Sequence, residues 1–285
     1  MLIIPTSSGQ KLSDDLGREL NAKVADKTVK RFPDGELYVR INEEISGHDV
    51  AVVGNTSMDA DIIEMLLTLN AVREASPDEL TVVFPYFGYS RQHRVYNPGE
   101  AISSKVFTQS LASSADRMYV VDIHDEETLG YSPVPFENIS IIKSIAKHFN
   151  SYGIDYVVSP DDGGSVRAEE ISRVLGVKTF YLNKVRVDSR TVRMEVPDVE
   201  LKGKKVLLVD DIISTGGTIM KSASIMREKG ATNVYISAVH GIFTNNSAAR
   251  IKDAADEVAV TDTIQSEYST ISIAEEVAER LRGGL

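Results

Sequence analysis

Short runs of aliphatic and β-branched residues alternate along the chain with longer stretches whose apolar positions recur every three or four residues. MLIIPTS, DVAVVGNT, LTVVFPYF, RMYVVDIHD, YVVSPDD, KTFYLNK, KKVLLVDDII, NVYISAVHG and EVAVTDTI read as strands. Residues 61–75, 103–114, 139–150, 166–175 and 218–229 place apolar side chains at i, i+3, i+4 and i+7, which predicts helices. Such alternation predicts an α/β fold of mostly parallel sheets flanked by helices. The strands are nearly continuous apolar runs, as expected of sheets covered on both faces. A boundary near residues 143–155 divides the pattern into two architecturally similar domains, 1–145 and 146–285. Polar and glycine residues gather just past strand ends in FPYFGYSRQHR, VDIHDEE, VSPDDGG and VDDIISTGG. That edge is where open α/β sheets bind ligands.

Composition narrows the function. The 285 residues include 42 Asp and Glu against 31 Lys and Arg, a formal charge of −11. So acidic a surface excludes a dedicated duplex-DNA binder, while leaving room for a small anion in a local basic pocket. With no cysteine there is no disulfide, thiolate nucleophile or Cys-ligated zinc. The opening MLIIPTSSGQ lacks the features of a signal peptide, and no uncharged apolar run approaches the ~20 residues that span a bilayer. The expectation is a soluble, cytoplasmic protein with no nucleic-acid or membrane partner.

The sharpest chemical signal is KKVLLVDDIISTGGT at 204–218. A strand ends in Asp210 and Asp211, a small-residue loop follows (Ser214, Thr215, Gly216, Gly217, Thr218), and a helix begins. Glycines let backbone approach an anion, while loop and helix N–H groups cradle a phosphate. The paired acids suit ribose hydroxyls, so the whole reads as a sugar-phosphate site. It is not a Walker A loop, since no Gly-Lys-Ser/Thr is present. In RFPDGE, Phe32 offers a ring for adenine and Asp34 and Glu36 offer acceptors; a plain turn around Pro33-Asp34-Gly35 would look the same. Lys184, Arg186, Arg190 and Arg193 form a basic run in KVRVDSRTVRMEV, a pattern also used to protect sheet edges.

VLLVDDIISTGGT resembles the phosphoribosyl-pyrophosphate loop of the type I phosphoribosyltransferase fold. RFPDGELYVRI at 31–41, FPYFGYSRQHR at 84–94, VDIHD at 121–125 and VSPDDGG at 158–164 resemble, in order, the ribose-phosphate pyrophosphokinase family. The resemblance implies two type I phosphoribosyltransferase-like domains, an ATP-side one at 1–145 and a ribose-5-phosphate-side one at 146–285. It also implies that the helix at 271–285 returns to complete the first. Phe32, Asp34 and Glu36 would serve the ATP site of a neighbouring subunit, so that self-association (a dimer or higher) completes the active site. Arg91 would meet the ATP phosphates and Gln92 the adenine or its ribose. His124 and Asp161 would flank Mg2+, the implied cofactor, and Lys184 and Arg186 would sit on a catalytic loop. His93 stands where the family is commonly acidic and receives no role, and Ser214 stands where many relatives carry an acid.

The implied reaction moves the β,γ-diphosphoryl group of Mg-ATP to the 1-hydroxyl of ribose 5-phosphate, giving phosphoribosyl pyrophosphate and AMP. Two rivals share parts of the pattern. A phosphoribosyltransferase that consumes phosphoribosyl pyrophosphate has the same loop but no use for RFPDGE or FGYSRQ. A silent synthetase-like regulatory subunit would be marked by loss of the basic pair, and Lys184 and Arg186 are present.

Overall fold

The structure, a computed structural model, describes residues 1–186, 192–195 and 197–283; of residues 184–186 and 192–195 it describes the backbone alone. Arg190 therefore lies outside the described residues, as do the side chains of Lys184, Arg186 and Arg193. The chain forms two compact units, Met1–Ser140 with Ile273–Leu285, and Ile141–Ser272.

The first unit runs β1 (Leu2–Pro5), α1 (Gln10–Leu20), β2 (Lys23–Val24), β3 (Lys27–Arg31), β4 (Leu37–Ile41), β5 (Asp49–Val53), α2 (Asp59–Glu74), β6 (Glu79–Phe84), α3 (Ser103–Ala112), β7 (Arg117–Val121) and β8 (Phe136–Ile139). The second runs α4 (Ile142–Phe149), β9 (Tyr156–Ser159), α5 (Ser165–Leu175), β10 (Lys178–Tyr181), β11 (Asn183–Arg186), β12 (Val192–Glu195), β13 (Lys205–Ile213), α6 (Gly217–Glu228), β14 (Asn233–Gly241), α7 (Ser247–Ala254), β15 (Glu257–Thr261) and β16 (Ser269–Ile271). α8 (Ala274–Gly283) belongs to the first unit, where it packs against α1.

Each unit contains one six-stranded parallel sheet, ordered β2-β1-β5-β6-β7-β8 in the first and β10-β9-β13-β14-β15-β16 in the second. The two windings are the same. In each, the second strand forms the outer edge, an antiparallel hairpin (β3–β4 or β11–β12) follows, and the chain re-enters on the far side of the first strand. The point of reversal, between β1 and β5 or β9 and β13, opens a crevice at the strands' carboxyl ends. The expectation of two similar α/β domains of type I phosphoribosyltransferase-like winding therefore holds. Central strands such as Val50–Val53 and Val206–Val209 are buried along their length, because helices cover both faces. In the first core Phe84 meets Phe87 edge-on with centroids 5.1 Å apart.

One expected helix begins late. Ile139 pairs with Val121 in β8, and the helix starts at Ile142; an apolar run crossing a strand-to-helix junction has no period that marks the change.

The β3–β4 hairpin stands apart from the six-stranded sheet and rests on α2. A nearly buried ion pair anchors it, Lys27 Nζ lying 3.0 Å from Glu64 Oε1. The same oxygen accepts the Ser7 N–H at 2.7 Å and its hydroxyl at 2.9 Å. Burial lowers the Lys27 pKa, and the adjacent Glu64 carboxylate only partly offsets it.

Candidate functional site

In the second unit, β13 sits mid-sheet beside the reversal point and carries Asp210 and Asp211 to the carboxyl edge. Beyond it the chain turns tightly into α6. Gly216 caps that helix with φ +75°, a left-handed conformation, and a Cβ there would lie 2.5 Å from Cδ1 of the buried Ile251. The turn's outer wall is tied down: the Ile213 carbonyl accepts the N–H groups of Ile242 and Phe243, and the Ser214 carbonyl accepts from Thr244 N–H and the Ser247 hydroxyl. The first intrahelical bond is Met220 N–H to the Gly216 carbonyl, so the N–H groups of Gly217, Thr218 and Ile219 precede the helical ladder.

The result is a cavity of about 140 Å3 lined by Asp210, Ser214, Thr215, Gly216, Gly217 and Thr218, with neighbouring isoleucines. Six of the seven residues read from the sequence as a sugar-phosphate site thus share one wall. Asp211 is not among the lining residues; its carboxylate accepts the Ile212 N–H at 2.7 Å, and its own N–H reaches Asp210 Oδ1 at 2.9 Å. The Ser214 hydroxyl is 3.3 Å from Thr244 Oγ1.

Burial pushes the Asp210 pKa up to about 8, helped by the charge and hydrogen bonding of Asp211 and the charge of Asp161. Asp161 follows β9, across the reversal point from β13, where Oδ1 accepts the Gly164 N–H at 3.3 Å. Gly164 is needed there: a Cβ would come within 2.5 Å of Ser159 Oγ. Asp161, Asp210 and Asp211 thus lie near enough to influence one another's charge, and their oxygens are the donor type that a hard divalent cation takes, although their ligand atoms do not converge within 4.8 Å of one another as a three-carboxylate set. A larger cavity of about 300 Å3 lies by α5 and β10, lined by Glu169, Thr179, Phe180 and Tyr181 among others. Among the described residues it offers an acid and aromatic rings rather than a glycine cradle.

Gly216→Ala should lower the urea midpoint by an amount equivalent to roughly 1–2 kcal/mol and raise the KM for a bound sugar phosphate. An unchanged midpoint would show that Ile251 yields and that the left-handed turn is dispensable.

In the first unit, Phe32, Asp34 and Glu36 occupy the tip of the β3–β4 hairpin. Gly35 N–H bonds the Phe32 carbonyl and Phe32 N–H bonds the Glu36 carbonyl, closing a β-turn whose Gly35 has φ +95°. Phe32 remains 45% exposed, edge-on to Tyr38 at 5.8 Å. Asp34 Oδ1 accepts the Glu36 N–H, so part of its capacity already serves the turn. Arg91 and Gln92 lie in the loop after β6. Arg91 is exposed, and Gln92 donates to the Arg94 carbonyl and to Glu100. Glu100, which sequence reasoning passed over, staples this loop: the Asn97 side chain and the N–H groups of Asn97 and Tyr96 hold its carboxyl down to about 2. His124 is exposed in the turn after β7. His124 belongs to the first unit and Asp161 to the second. The backbone of Lys184 and Arg186 lies in β11, opposite Met194 and Val192 of β12.

Comparison with known proteins adds independent findings. Residues 1–114 match the family described as the N-terminal domain of ribose phosphate pyrophosphokinase, and residues 135–278 match the phosphoribosyl transferase domain. The chain is 48% identical over 283 residues to a ribose-phosphate pyrophosphokinase of Thermoplasma acidophilum, covering 99% of each. It is 40% identical to one of Thermococcus kodakarensis, covering 95% of this chain and 97% of that one. Its structure is similar to the crystal structure of phosphoribosylpyrophosphate synthetase from Mycobacterium smegmatis, with a TM-score of 0.89, 29% identity, and 99% and 98% of the two chains covered.

Proposed function

The chain belongs to the ribose-phosphate pyrophosphokinase family and makes phosphoribosyl pyrophosphate from ribose 5-phosphate and ATP; from that premise we propose which of its residues do so. In this reaction the 1-hydroxyl of ribose 5-phosphate attacks the β-phosphorus of ATP. The bond between Pβ and the oxygen bridging it to Pα breaks, AMP leaves with that oxygen, and the hydroxyl proton is released. Transfers of this type demand positioning and charge stabilisation rather than a covalent protein intermediate.

The 5-phosphate sits in the cavity of 214–218, held by loop N–H groups and the hydroxyls of Ser214, Thr215 and Thr218. Asp210, on the same cavity wall, accepts from the ribose hydroxyls, and Asp211 braces it through the backbone while adding a second acceptor at the strand edge. The cavity's coincidence with the DDIISTGGT segment is the observation that carries this assignment. Arg91 meets the ATP phosphates. Gln92 meets the adenosine end, exchanging its present bond to Glu100 for one to the nucleotide. Lys184 and Arg186 stabilise charge on the transferred diphosphoryl group and on departing AMP.

We assign the metal as Mg2+: Asp161 would supply a carboxylate ligand from the second unit and His124 would serve the metal-nucleotide from the first, and the ion would neutralise phosphate charge. The 1–145 domain is the ATP side and 146–285 the ribose-5-phosphate side. Phe32, Asp34 and Glu36 complete the ATP site of a second copy of the chain, a role supported by the exposed aromatic ring on a projecting tip. The enzyme works in the cytoplasm; no helix among the described residues is long and apolar enough to cross a membrane.

The test is anion-exchange analysis after mixing protein, Mg-ATP and ribose 5-phosphate. AMP and phosphoribosyl pyrophosphate should form in equal amounts, only with the sugar phosphate present. ADP as the sole nucleotide product would break the mechanism, and ATP binding without turnover would move the protein to the silent regulatory class.

A further inference from the structure

His93 received no role from the sequence, yet it is one of the most enclosed ionisable side chains of the first unit. It is 5% exposed in a loop whose neighbours are mostly at the surface. Its Nε2 lies 3.2 Å from Asp125 Oδ2, 3.9 Å from Glu127 Oε2 and 3.3 Å from the Tyr96 hydroxyl. Its carbonyl accepts the Tyr131 hydroxyl at 2.7 Å. Asp125 is itself fixed, since its other oxygen accepts the Glu127 N–H at 2.9 Å and caps the short helical turn Glu126–Tyr131. Two links therefore join the loop after β6 to the turn after β7, and both pass through His93.

The proton's position follows from the surroundings. Nδ1 is buried with no hydrogen-bond partner among the described residues. A proton there would make an orphaned buried donor, and would leave the Nε2 lone pair facing two carboxylates. With the proton on Nε2, the ring donates to Asp125, and only an acceptor is left unmatched. The imidazole and two carboxylates lie close enough to hold a metal ion, their ligand atoms all within 4.8 Å. Metal binding at Nε2, however, would force the proton onto the orphaned Nδ1, and a ligating histidine normally donates its other N–H to a partner. The arrangement is built to donate a hydrogen bond.

We propose that His93 is a positioning residue whose Nε2–H, donated to Asp125, holds the loop bearing Arg91 and Gln92 in register with the turn bearing His124. The inference rests on the assignment of those three residues to Mg-ATP. His93 touches neither substrate in this reading; it sits between Gln92 and Arg94 and fixes where their neighbours point. Loss of one hydrogen bond to a charged group corresponds to about a tenfold change in an affinity that depends on it.

Amide replacements separate positioning from mere packing. Asn places its amide near the Nδ1 position and cannot reach Asp125, whereas Gln places an N–H donor near Nε2. His93→Asn should raise the KM for Mg-ATP about tenfold while leaving the KM for ribose 5-phosphate within about twofold, and His93→Gln should recover most of the loss. Arg91→Ala, measured alongside, must also raise the KM for Mg-ATP. If Arg91→Ala raises it and His93→Asn does not, the positioning role is overturned while the site assignment stands. If Arg91→Ala leaves it unchanged, the site assignment fails and the proposal with it. Equal losses for both substrates with a lowered melting temperature and no recovery in His93→Gln would make His93 only a packing residue. Equilibrium dialysis against Zn2+ or Mn2+ supplies the last arm. A tight ion bound by the wild type and lost in both amide variants would overturn the hydrogen-bond role in favour of a metal ligand.

Discussion

Lys184→Ala should lower kcat on the order of a thousandfold and change the KM for ATP by less than about threefold, the signature of a group that acts only as charge develops. Lys184 and Arg186 are two residues apart in β11, and strand geometry puts positions i and i+2 on one face. Among the described residues that strand pairs with β12, outside the six-stranded sheet of the second unit. The variant should therefore fold with an unchanged melting temperature. Steady-state kinetics with both substrates varied gives the answer. A loss confined to KM would reduce Lys184 to a substrate-binding residue, and parallel loss in a Lys184→Arg variant would show that shape matters as well as charge.

Asp210→Asn should have opposite effects on activity and stability. Removing the acceptor from the cavity wall should cut kcat/KM for ribose 5-phosphate about a hundredfold or more, since a buried acceptor for a substrate hydroxyl is lost. The ligand-free protein should meanwhile become more stable. Burial pushes the folded carboxyl up to about 8, far above the ordinary carboxylate range, so between that range and pH 8 the folded state retains a proton that the unfolded chain has released. Folding then weakens as pH rises through that window, because the unfolded chain gains by ionising this carboxyl while the native state must keep it protonated. Asn at this position removes the penalty. Its thermal advantage over the wild type in a chelator should widen by a few degrees between about pH 5.5 and pH 8.5. An advantage that stays constant across this range would mean that Asp210 is already ionised in the native protein. Gain of stability with loss of turnover marks a residue kept for chemistry.

Much of this was legible in the chain because the sheets announce themselves. Runs such as VLLV and VVGN are buried on both faces, and the glycine and hydroxyl residues after them mark the edge at which the strands end. The β3–β4 hairpin was visible only as a motif: its strands, KTVKR and LYVRI, are half-exposed and alternate too weakly to stand out. α1 was missed for a related reason, burying a narrow row of Leu12, Ser13 and Leu16 in an otherwise polar segment. At the candidate site, local sequence marked out the cavity-lining segment 214–218 because it is contiguous. It could not separate Asp210 from Asp211, whose neighbouring strand positions face different surroundings, nor find His93, whose partner Asp125 lies in another loop. Buried polar contacts between remote segments leave no spacing to read. Glu100 could have been found, as an acid three residues after Asn97 in a Pro-Gly turn.

The return of α8 to the first unit bears on how the protein is made. As the chain emerges from the ribosome, the six strands of the first sheet and α1 are available long before residues 273–283 have been synthesised. Until then α1 lacks the helix that packs against it, and the partners of two helix arginines, Glu137 for Arg280 and the Glu19 carbonyl for Arg282, stand unengaged. The second unit, contiguous in sequence, can close first even though it is translated later. The first unit is thus the last to mature, and nascent chains stalled within α8 would expose its apolar seam to chaperones and proteases.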